Sequence, residues 1–278
     1  MTTRDNIRKA GLTLALITTL CLEATASPDR IKFLEGLSAL SKLSPQQQSE
    51  EVKGYLNLDP TVLAATMLAA PEPNSPADKA DTALFYEIHR SASPERWRTA
   101  QHDDATMYDR FNDQLGLSLD RERLPTLIAV LNRVAADTFM VTTEAKKRFP
   151  RPRPYQVLQL KRVCGFSKPP APEASPTKGG SYPSGHASVS WATALILMEV
   201  APASAQAIIG RAVSYGNSRI VCGLHYPADI EAGHHIGSVV VAKLFENPDF
   251  VRDLKCARRE VEAVSRGEKS SDLPACAQ

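Results

Sequence analysis

The chain has 278 residues, enough for one large domain, and its 43% hydrophobic and 23% charged residues are ordinary for a globular protein. The formal net charge of +2 at pH 7 is too small to favour nucleic acid or an anionic membrane surface as a partner.

The first 26 residues have the pattern of a secretory signal peptide. A short basic start precedes the apolar run Ala10–Leu22, which is too short to span a bilayer comfortably, and Ala24-Thr25-Ala26 supplies small residues that a signal peptidase accepts. A buried N-terminal helix is the competing interpretation. We expect residues 1–26 to be removed and the mature protein to be periplasmic or secreted. No later stretch is apolar enough to predict a transmembrane segment in the mature chain.

The remainder is predicted to be helical, with an N-terminal helical arm over residues 27–76 and a main domain over residues 77–278. The Pro71–Pro76 segment marks the boundary between the two. Apolar residues at helical spacing predict helices over Arg121 to about Phe149, Ser184–Ala201, a segment around Ala205–Val213, and Asp229–Phe245. Strand alternation and hairpin signals are missing, so the predicted fold class is all-α, a single helical-bundle domain.

Two other stretches of the main domain are assigned from composition. The Pro-rich segment Lys168–Gly180 is predicted to be a loop, and loops of this size are often lids or binding loops. Asp103 and Asp104 are expected on a helix or turn surface. No group of His, Cys, Asp and Glu has the spacing of a two-metal centre, so we predict neither a metal ion nor another cofactor.

Three short motifs, spread over residues 146–229, carry residues suited to a tetrahedral dianion. They are Lys146-x6-Arg153-Pro154, Pro183-Ser184-Gly185-His186 and Ser218-Arg219-x5-His225-x3-Asp229. Arg153 and Arg219 present planar forks that bond pairs of phosphate oxygens, and Lys146 adds a compact positive charge.

The middle motif lies where a helix is predicted to begin. The free backbone N–H groups and the dipole of a helix start bind phosphate, so the Ser184 hydroxyl and the amides of Gly185 and His186 are candidate ligands. Gly185 also lets the backbone come close to a ligand.

Two histidines remain for bond making and proton transfer. Asp229 follows His225 by four residues, and a carboxylate there can accept the Nδ1 proton and leave Nε2 free to attack phosphorus. Histidine exchanges protons near neutral pH, so His186 and His225 both suit acid–base work. Spacing alone does not decide which of the two is the nucleophile.

With these motifs the chain resembles the phosphatidic acid phosphatase type 2 superfamily, whose fold is shared with vanadium haloperoxidases, and within it the secreted class A bacterial acid phosphatases. All three superfamily motifs are present in order. The class A likeness extends to Gly180–His186, Trp191–Leu195 and Ser218–Gly233, and covers roughly Arg121–Phe245 well. Ala187 is a departure, since class A members usually carry Thr at this position.

The resemblance implies an acid phosphatase that hydrolyses phosphate monoesters through a phosphohistidine. It makes His225 the nucleophile and His186 the acid that protonates the leaving alcohol and then activates water. Asp229 would orient His225. The phosphoryl oxygens would be held by Lys146, Arg153, Ser184, Gly185 and Arg219.

Cysteine placement predicts two disulfides. Cys21 leaves with the signal pattern, and four cysteines remain: Cys164, Cys222, Cys256 and Cys276. An even number in an exported chain fits paired thiols. Cys222 lies between Arg219 and His225, and Cys164 follows Arg153 by eleven residues, so both should lie near the same phosphate. We therefore predict Cys164–Cys222 and Cys256–Cys276.

Three alternatives remain open at this point. A vanadium-dependent haloperoxidase would use the same residues to hold vanadate, with His225 as its ligand. A phosphate-binding protein would need the cations but not both histidines and Asp229. A phosphatase specific for lipid phosphates or pyrophosphate would share the whole site. We favour small-molecule phosphate monoesters as substrates and no nucleic acid partner, and leave a homo-oligomer open.

Overall fold

The computed structural model describes residues 44–105, 108–167 and 180–273, in which all regular secondary structure is helical. The helices are α1 (Pro45–Lys53), α2 (Pro60–Ala64), α3 (Pro76–Ser91), α4 (Pro94–Ala105), α5 (Asn112–Leu115), α6 (Pro125–Arg148), α7 (Pro154–Val157), α8 (Gly185–Val200), α9 (Ala205–Val221), α10 (Pro227–Leu244) and α11 (Pro248–Ser265). The all-α prediction is confirmed. The signal pattern of residues 1–26, most of the Lys168–Gly180 loop and Cys276 lie outside the described ranges.

Proline begins most of these helices. It suits the first helical position because its φ is already helical and its missing N–H would have no partner there. The long helix α6 therefore begins at Pro125 and not at Arg121 as periodicity predicted. A residue before proline is driven out of the helical region, and Leu124 has φ −132° and ψ 57°. For the same reason α10 begins at Pro227, two residues before the predicted start.

Helix α8 forms the centre of the bundle. Its Ala, Val, Ile and Leu residues are buried along most of its length, and it packs against α6, α9, α10 and α11. A helix that is apolar on nearly every side is stable only in such a position. The start of α8, which carries the middle motif, is thereby fixed relative to the helices that carry the other two motifs.

Glycines bring α10 unusually close to α8. A Cβ at Gly233 would come within 2.7 Å of the Ser184 carbonyl oxygen, and a Cβ at Gly237 within 2.8 Å of the Ser188 carbonyl oxygen. Real Cβ atoms do not approach carbonyl oxygens this closely, so these two positions require glycine. The close approach places the first turn of α10 beside the first turn of α8.

The first helices of the described ranges pack against α6. Helices α1 and α2 contact α6, and Asp137 of α6 accepts hydrogen bonds from the backbone N–H groups of Tyr55 and Leu56, at 2.8 and 3.3 Å. Arg121 also makes a two-point ion pair with Glu51, at 2.8 and 2.7 Å. These contacts tie residues 51–56 to α6, the helix that carries Lys146, and to the segment just before it.

Across the described ranges, none of the helices combines the length and the apolar character needed to cross a membrane.

Candidate active site

His225 lies in the turn between α9 and α10. Gly223 takes φ +76°, a left-handed conformation that ends α9 and reverses the chain, and its N–H donates to the Ile220 carbonyl at 2.9 Å. The turn carries His225 back toward Arg219, which lies on the last turn of α9. Both side chains are completely buried.

The two ring nitrogens of His225 have different surroundings. Nδ1 lies 3.4 Å from Asp229 Oδ2 and 3.4 Å from Ser181 Oγ. Nε2 is buried and has no hydrogen-bond partner in the part of the chain that the structure describes. Since the Asp229 carboxylate and the Ser181 hydroxyl oxygen are both able to accept a hydrogen bond, we assign the ring hydrogen to Nδ1, which leaves a bare lone pair on Nε2.

Asp229 is held rigidly on the first turn of α10. Its Oδ2 accepts from Ser181 Oγ at 2.5 Å and from the Tyr226 backbone N–H at 2.8 Å, and its Oδ1 accepts from Arg151 Nη1 at 2.9 Å. Because Ser181 donates its only hydroxyl hydrogen to Asp229, its oxygen lone pairs remain available to His225 Nδ1. Ser181 and Asp229 thus orient the imidazole together.

Arg151 was not singled out from the sequence, although it lies inside the first motif. It is buried and forms ion pairs with three carboxylates: Asp78 at 3.0 Å, Asp81 at 2.8 Å and Asp229 at 2.9 Å. Its guanidinium also lies over the Tyr226 ring, 4.0 Å from the centroid. Arg151 therefore ties the carboxylate behind His225 to helix α3.

Three cations named by the motifs surround the histidines. Lys146, on the last turn of α6, donates to the Gly180 carbonyl at 2.6 Å, and Arg219 donates to the Ala100 carbonyl at 3.0 Å. Arg153 precedes α7. Burial, followed by the charges of Arg153, Lys146 and Arg219, lowers the pKa of His225 well below its usual value. The imidazole is therefore held neutral.

The start of α8 completes what we call the phosphate cradle, made of Lys146, Arg153, Arg219 and the backbone of Gly185 and His186. Ser184 caps the helix by accepting from the Ala187 N–H at 3.3 Å, which leaves its own hydroxyl hydrogen available to a ligand. A Cβ at Gly185 would meet only Thr142, at 3.7 Å. Protein packing therefore does not require glycine there, and the open space suits a ligand.

His186 faces His225 across this space. The ring centroids are 6.2 Å apart, and the residue is exposed, unlike His225. Desolvation by the surrounding protein, followed by the charges of Arg219, His225, Arg153 and Arg110, lowers the pKa of His186 well below its usual value. The two rings are close enough for both to act on one phosphoryl group bound beside them.

The expectation that Asp103 lies on a surface was wrong. Its side chain is buried, accepts from Ser218 Oγ at 2.5 Å and pairs with Arg211. Arg96 in turn donates to Ser218 Oγ at 3.0 Å. Ser218 of the third motif thus anchors α9 to α4, which holds the neighbouring Arg219 in position. The carboxylate is able to lie buried because Arg211 and the Ser218 hydroxyl compensate its charge.

The predicted Cys164–Cys222 disulfide is present. It joins the segment after α7 to the residue that follows α9, and the Cys164 N–H also donates to the Cys222 carbonyl at 3.1 Å. The bridge lies three residues from both Arg219 and His225 in the chain. The second predicted pair, Cys256–Cys276, stays a prediction because Cys276 lies outside the described ranges.

The positive charge of the site is carried by lysine and arginine side chains. Within residues 44–105, 108–167 and 180–273, no three side chains of His, Cys, Asp or Glu are grouped to hold a metal ion. Four kinds of group converge on the space between the histidines: fixed cations, free helix amides, a bare imidazole nitrogen and a second imidazole. Together they are able to bind a phosphoryl dianion, attack it and protonate what leaves.

Comparison with known proteins identifies the family. The PAP2 superfamily model matches residues 126–249. An acid phosphatase of Zymomonas mobilis is 29% identical over 245 residues, covering 87% of this chain and 90% of the relative. Non-specific acid phosphatases of Salmonella typhimurium and Salmonella typhi are 29% and 30% identical, covering 81% and 69% of this chain and 91% and 76% of those proteins. The chain belongs to the PAP2 superfamily.

Proposed function

We propose that this protein is a broad-specificity acid phosphatase that hydrolyses small phosphate monoesters through a phosphohistidine on His225, without a metal ion. The observation that carries the proposal is the bare, buried Nε2 of His225, which is oriented from behind by Asp229 and Ser181 and surrounded by three cations. The names of the relatives, acid phosphatase and non-specific acid phosphatase, support the reaction class.

In the first half-reaction the cradle binds the phosphoryl oxygens. His225 Nε2 attacks phosphorus, a nitrogen–phosphorus bond forms, and the bond from phosphorus to the ester oxygen breaks. His186, protonated at this stage, gives its proton to the departing alcohol. Lys146, Arg153 and Arg219 neutralise the charge that accumulates on the equatorial oxygens, and Asp229 stabilises the positive charge that develops on His225.

In the second half-reaction the neutral His186 removes a proton from a water molecule. That water attacks phosphorus, the nitrogen–phosphorus bond breaks, and inorganic phosphate leaves. His225 returns to its neutral form with the hydrogen on Nδ1, ready for the next substrate. One exposed and one buried histidine suit this division, because only the exposed ring, His186, has access to water and to the leaving alcohol.

The reaction should be fastest at acidic to near-neutral pH. Burial and the neighbouring cations lower the pKa of the fully buried His225, so it remains a neutral nucleophile as the pH falls. The pKa of His186 is lowered as well, so its acid form is populated only toward acidic pH, and because the residue is exposed we expect it to take up its proton before His225 does. A profile of kcat/KM against pH should be bell-shaped and decline through the alkaline range. An optimum above about pH 8.5 would contradict these roles, since an unperturbed histidine has a pKa of about 6.5.

Hydrolysis of p-nitrophenyl phosphate by the purified protein in excess EDTA tests the proposed function. We expect full activity in EDTA and inhibition by vanadate, which mimics the five-coordinate phosphoryl group in the cradle. Activity that EDTA removes and zinc or magnesium restores would show that a metal is required. Absence of hydrolysis, together with vanadate-dependent oxidation of bromide by peroxide, would identify a haloperoxidase instead.

We also propose that the protein is exported after cleavage behind residue 26. The signal-peptide pattern supports this, and so does the Cys164–Cys222 disulfide, because such bonds form and persist in oxidising compartments. N-terminal sequencing of the protein from the periplasm or medium should begin at Ser27. Recovery of the mature chain only from the cytoplasm would disprove export.

A further inference from the structure

Arg110 lies beside the phosphate cradle but belongs to none of the three motifs. It is part of the 3-10 turn Asp109–Phe111, which precedes α5. Its guanidinium carbon lies 3.5 Å from the centroid of the Tyr215 ring on α9, and the guanidinium carbon of Arg219 lies 5.0 Å from the same centroid. Arg219, which belongs to the phosphate cradle, and Arg110, which does not, therefore both lie near the ring of Tyr215.

The charge of Arg110 is not neutralised by an ion pair with any carboxylate in the described ranges. Its Nε is buried without a hydrogen-bond partner there, and Asp103, which is near enough to influence it, is already bonded to Arg211 and Ser218. Arg211 Nε donates to the Arg110 carbonyl at 3.0 Å and so fixes this segment. A buried donor without an acceptor is unfavourable unless a ligand completes it.

The position of Arg110 points to the leaving-group side of the site. Arg110 shares the Tyr215 ring with Arg219 of the cradle, and its charge is among those that act most strongly on His186 but not among those that act most strongly on His225. In the proposed mechanism His186 faces the ester oxygen that leaves, and His225 faces the opposite side of phosphorus. A cation near His186 is therefore placed to meet the leaving group.

We propose that Arg110 is a specificity-determining residue that binds an anionic group on the leaving alcohol. The preferred substrates are then phosphate monoesters whose leaving group itself carries a carboxylate or a second phosphate. The planar guanidinium, supported from below by Tyr215, presents a fork that suits either anion. This inference rests on the proposed phosphatase function and adds a substrate class to it.

A matched pair of substrates tests the proposal. Ethyl phosphate and phosphoglycolate differ only in that the second carries a carboxylate in place of the methyl group of the leaving alcohol. We expect the wild-type protein to favour phosphoglycolate in kcat/KM. Arg110→Gln should lower kcat/KM for phosphoglycolate by about tenfold, mainly through KM, and change ethyl phosphate by less than about twofold, as loss of one charge-assisted contact implies.

Two further variants separate charge from folding. Arg110→Lys keeps the positive charge and should retain most of the preference. Arg90→Gln is the matched control, since Arg90 is exposed and lies over a different tyrosine, Tyr86, at 4.1 Å. Arg90→Gln should leave kcat/KM unchanged for both substrates. If Arg110→Gln does not fold, Arg110→Met, which keeps an apolar stem against the Tyr215 ring, takes its place and should lose the preference in the same way.

Equal losses with both substrates in Arg110→Gln would overturn the inference and make Arg110 a residue of the cradle or of the fold. A preference that survives removal of the charge of Arg110 would overturn it as well. A wild-type protein that hydrolyses ethyl phosphate without favouring phosphoglycolate would overturn this inference alone. A wild-type protein that hydrolyses neither substrate would overturn the proposed function and this inference with it.

Discussion

Replacing His225 by alanine is expected to lower phosphate release by at least about 10⁴-fold, because loss of the nucleophile removes the covalent route entirely. Nε2 of His225 is buried, lacks a partner within the described ranges and faces the cradle, a combination that suits attack on phosphorus. Steady-state kinetics with p-nitrophenyl phosphate measure the loss, and circular dichroism checks that the variant folds. Turnover above about a hundredth of the wild-type rate would be inconsistent with a nucleophilic His225.

The matched variant His186→Ala should behave differently, because general acid–base help is worth about 10²–10⁴-fold and depends on the leaving group. Formation of the phosphoenzyme should be impaired less with p-nitrophenyl phosphate, whose leaving group needs no proton, than with an alkyl phosphate. Breakdown of the phosphoenzyme should slow with both substrates, since His186 also activates water. Equal impairment of phosphoenzyme formation with the two substrates would refute the assignment of His186 as acid.

Asp229→Asn is expected to lower kcat by about 10²–10⁴-fold with little change in KM, since the carboxylate orients His225, stabilises the positive charge that develops on it during attack, and does not hold phosphate. The amide would also remove one of the three carboxylates that pair with the buried Arg151. Presteady-state and steady-state kinetics on phosphate monoesters separate the effects on kcat and KM.

Asp78→Asn is the matched control for that prediction. Asp78 pairs with Arg151 at 3.0 Å but is partly exposed, lies on α3 and does not touch His225. When the Asp78 carboxylate is lost, Arg151 keeps its ion pairs with Asp81 and Asp229. Because partly exposed ion pairs contribute little free energy, we expect kcat to fall by less than about tenfold. Similar losses in both variants would mean that the charge of Arg151, and not the orientation of His225, limits the reaction.

The motif residues could be assigned from the sequence because their order and spacing are specific to a family. The helices that carry them follow from apolar periodicity and from prolines at their starts. The starts of α6 and α10 were misplaced because periodicity does not register that Leu124 and Tyr226 precede prolines. Such local errors change neither the fold class nor the position of the site.

The supporting residues could not be assigned in the same way. Arg151 pairs with Asp78 and Asp81, which lie 73 and 70 residues earlier in the chain, and Asp103 bonds to Ser218, 115 residues later. Such partners depend on how helices pack, which single-sequence patterns do not encode. Ser181 lies within the segment that resembles the class A enzymes, so the resemblance offered a signal for it, but its role depends on the distances to His225 and Asp229.

Mapping the phosphate on the trapped enzyme tests the phosphohistidine most directly. Wild-type protein and His186→Ala are mixed with p-nitrophenyl phosphate, quenched in alkali, where phosphohistidine survives, reduced to open the Cys164–Cys222 disulfide and digested with trypsin. His225 lies in the tryptic peptide of residues 220–243, whereas His186 lies in that of residues 179–211. We predict phosphate on His225 in both proteins, with more accumulated in His186→Ala. Phosphate on the 179–211 peptide, or phosphoenzyme formed by His225→Ala, would contradict the account.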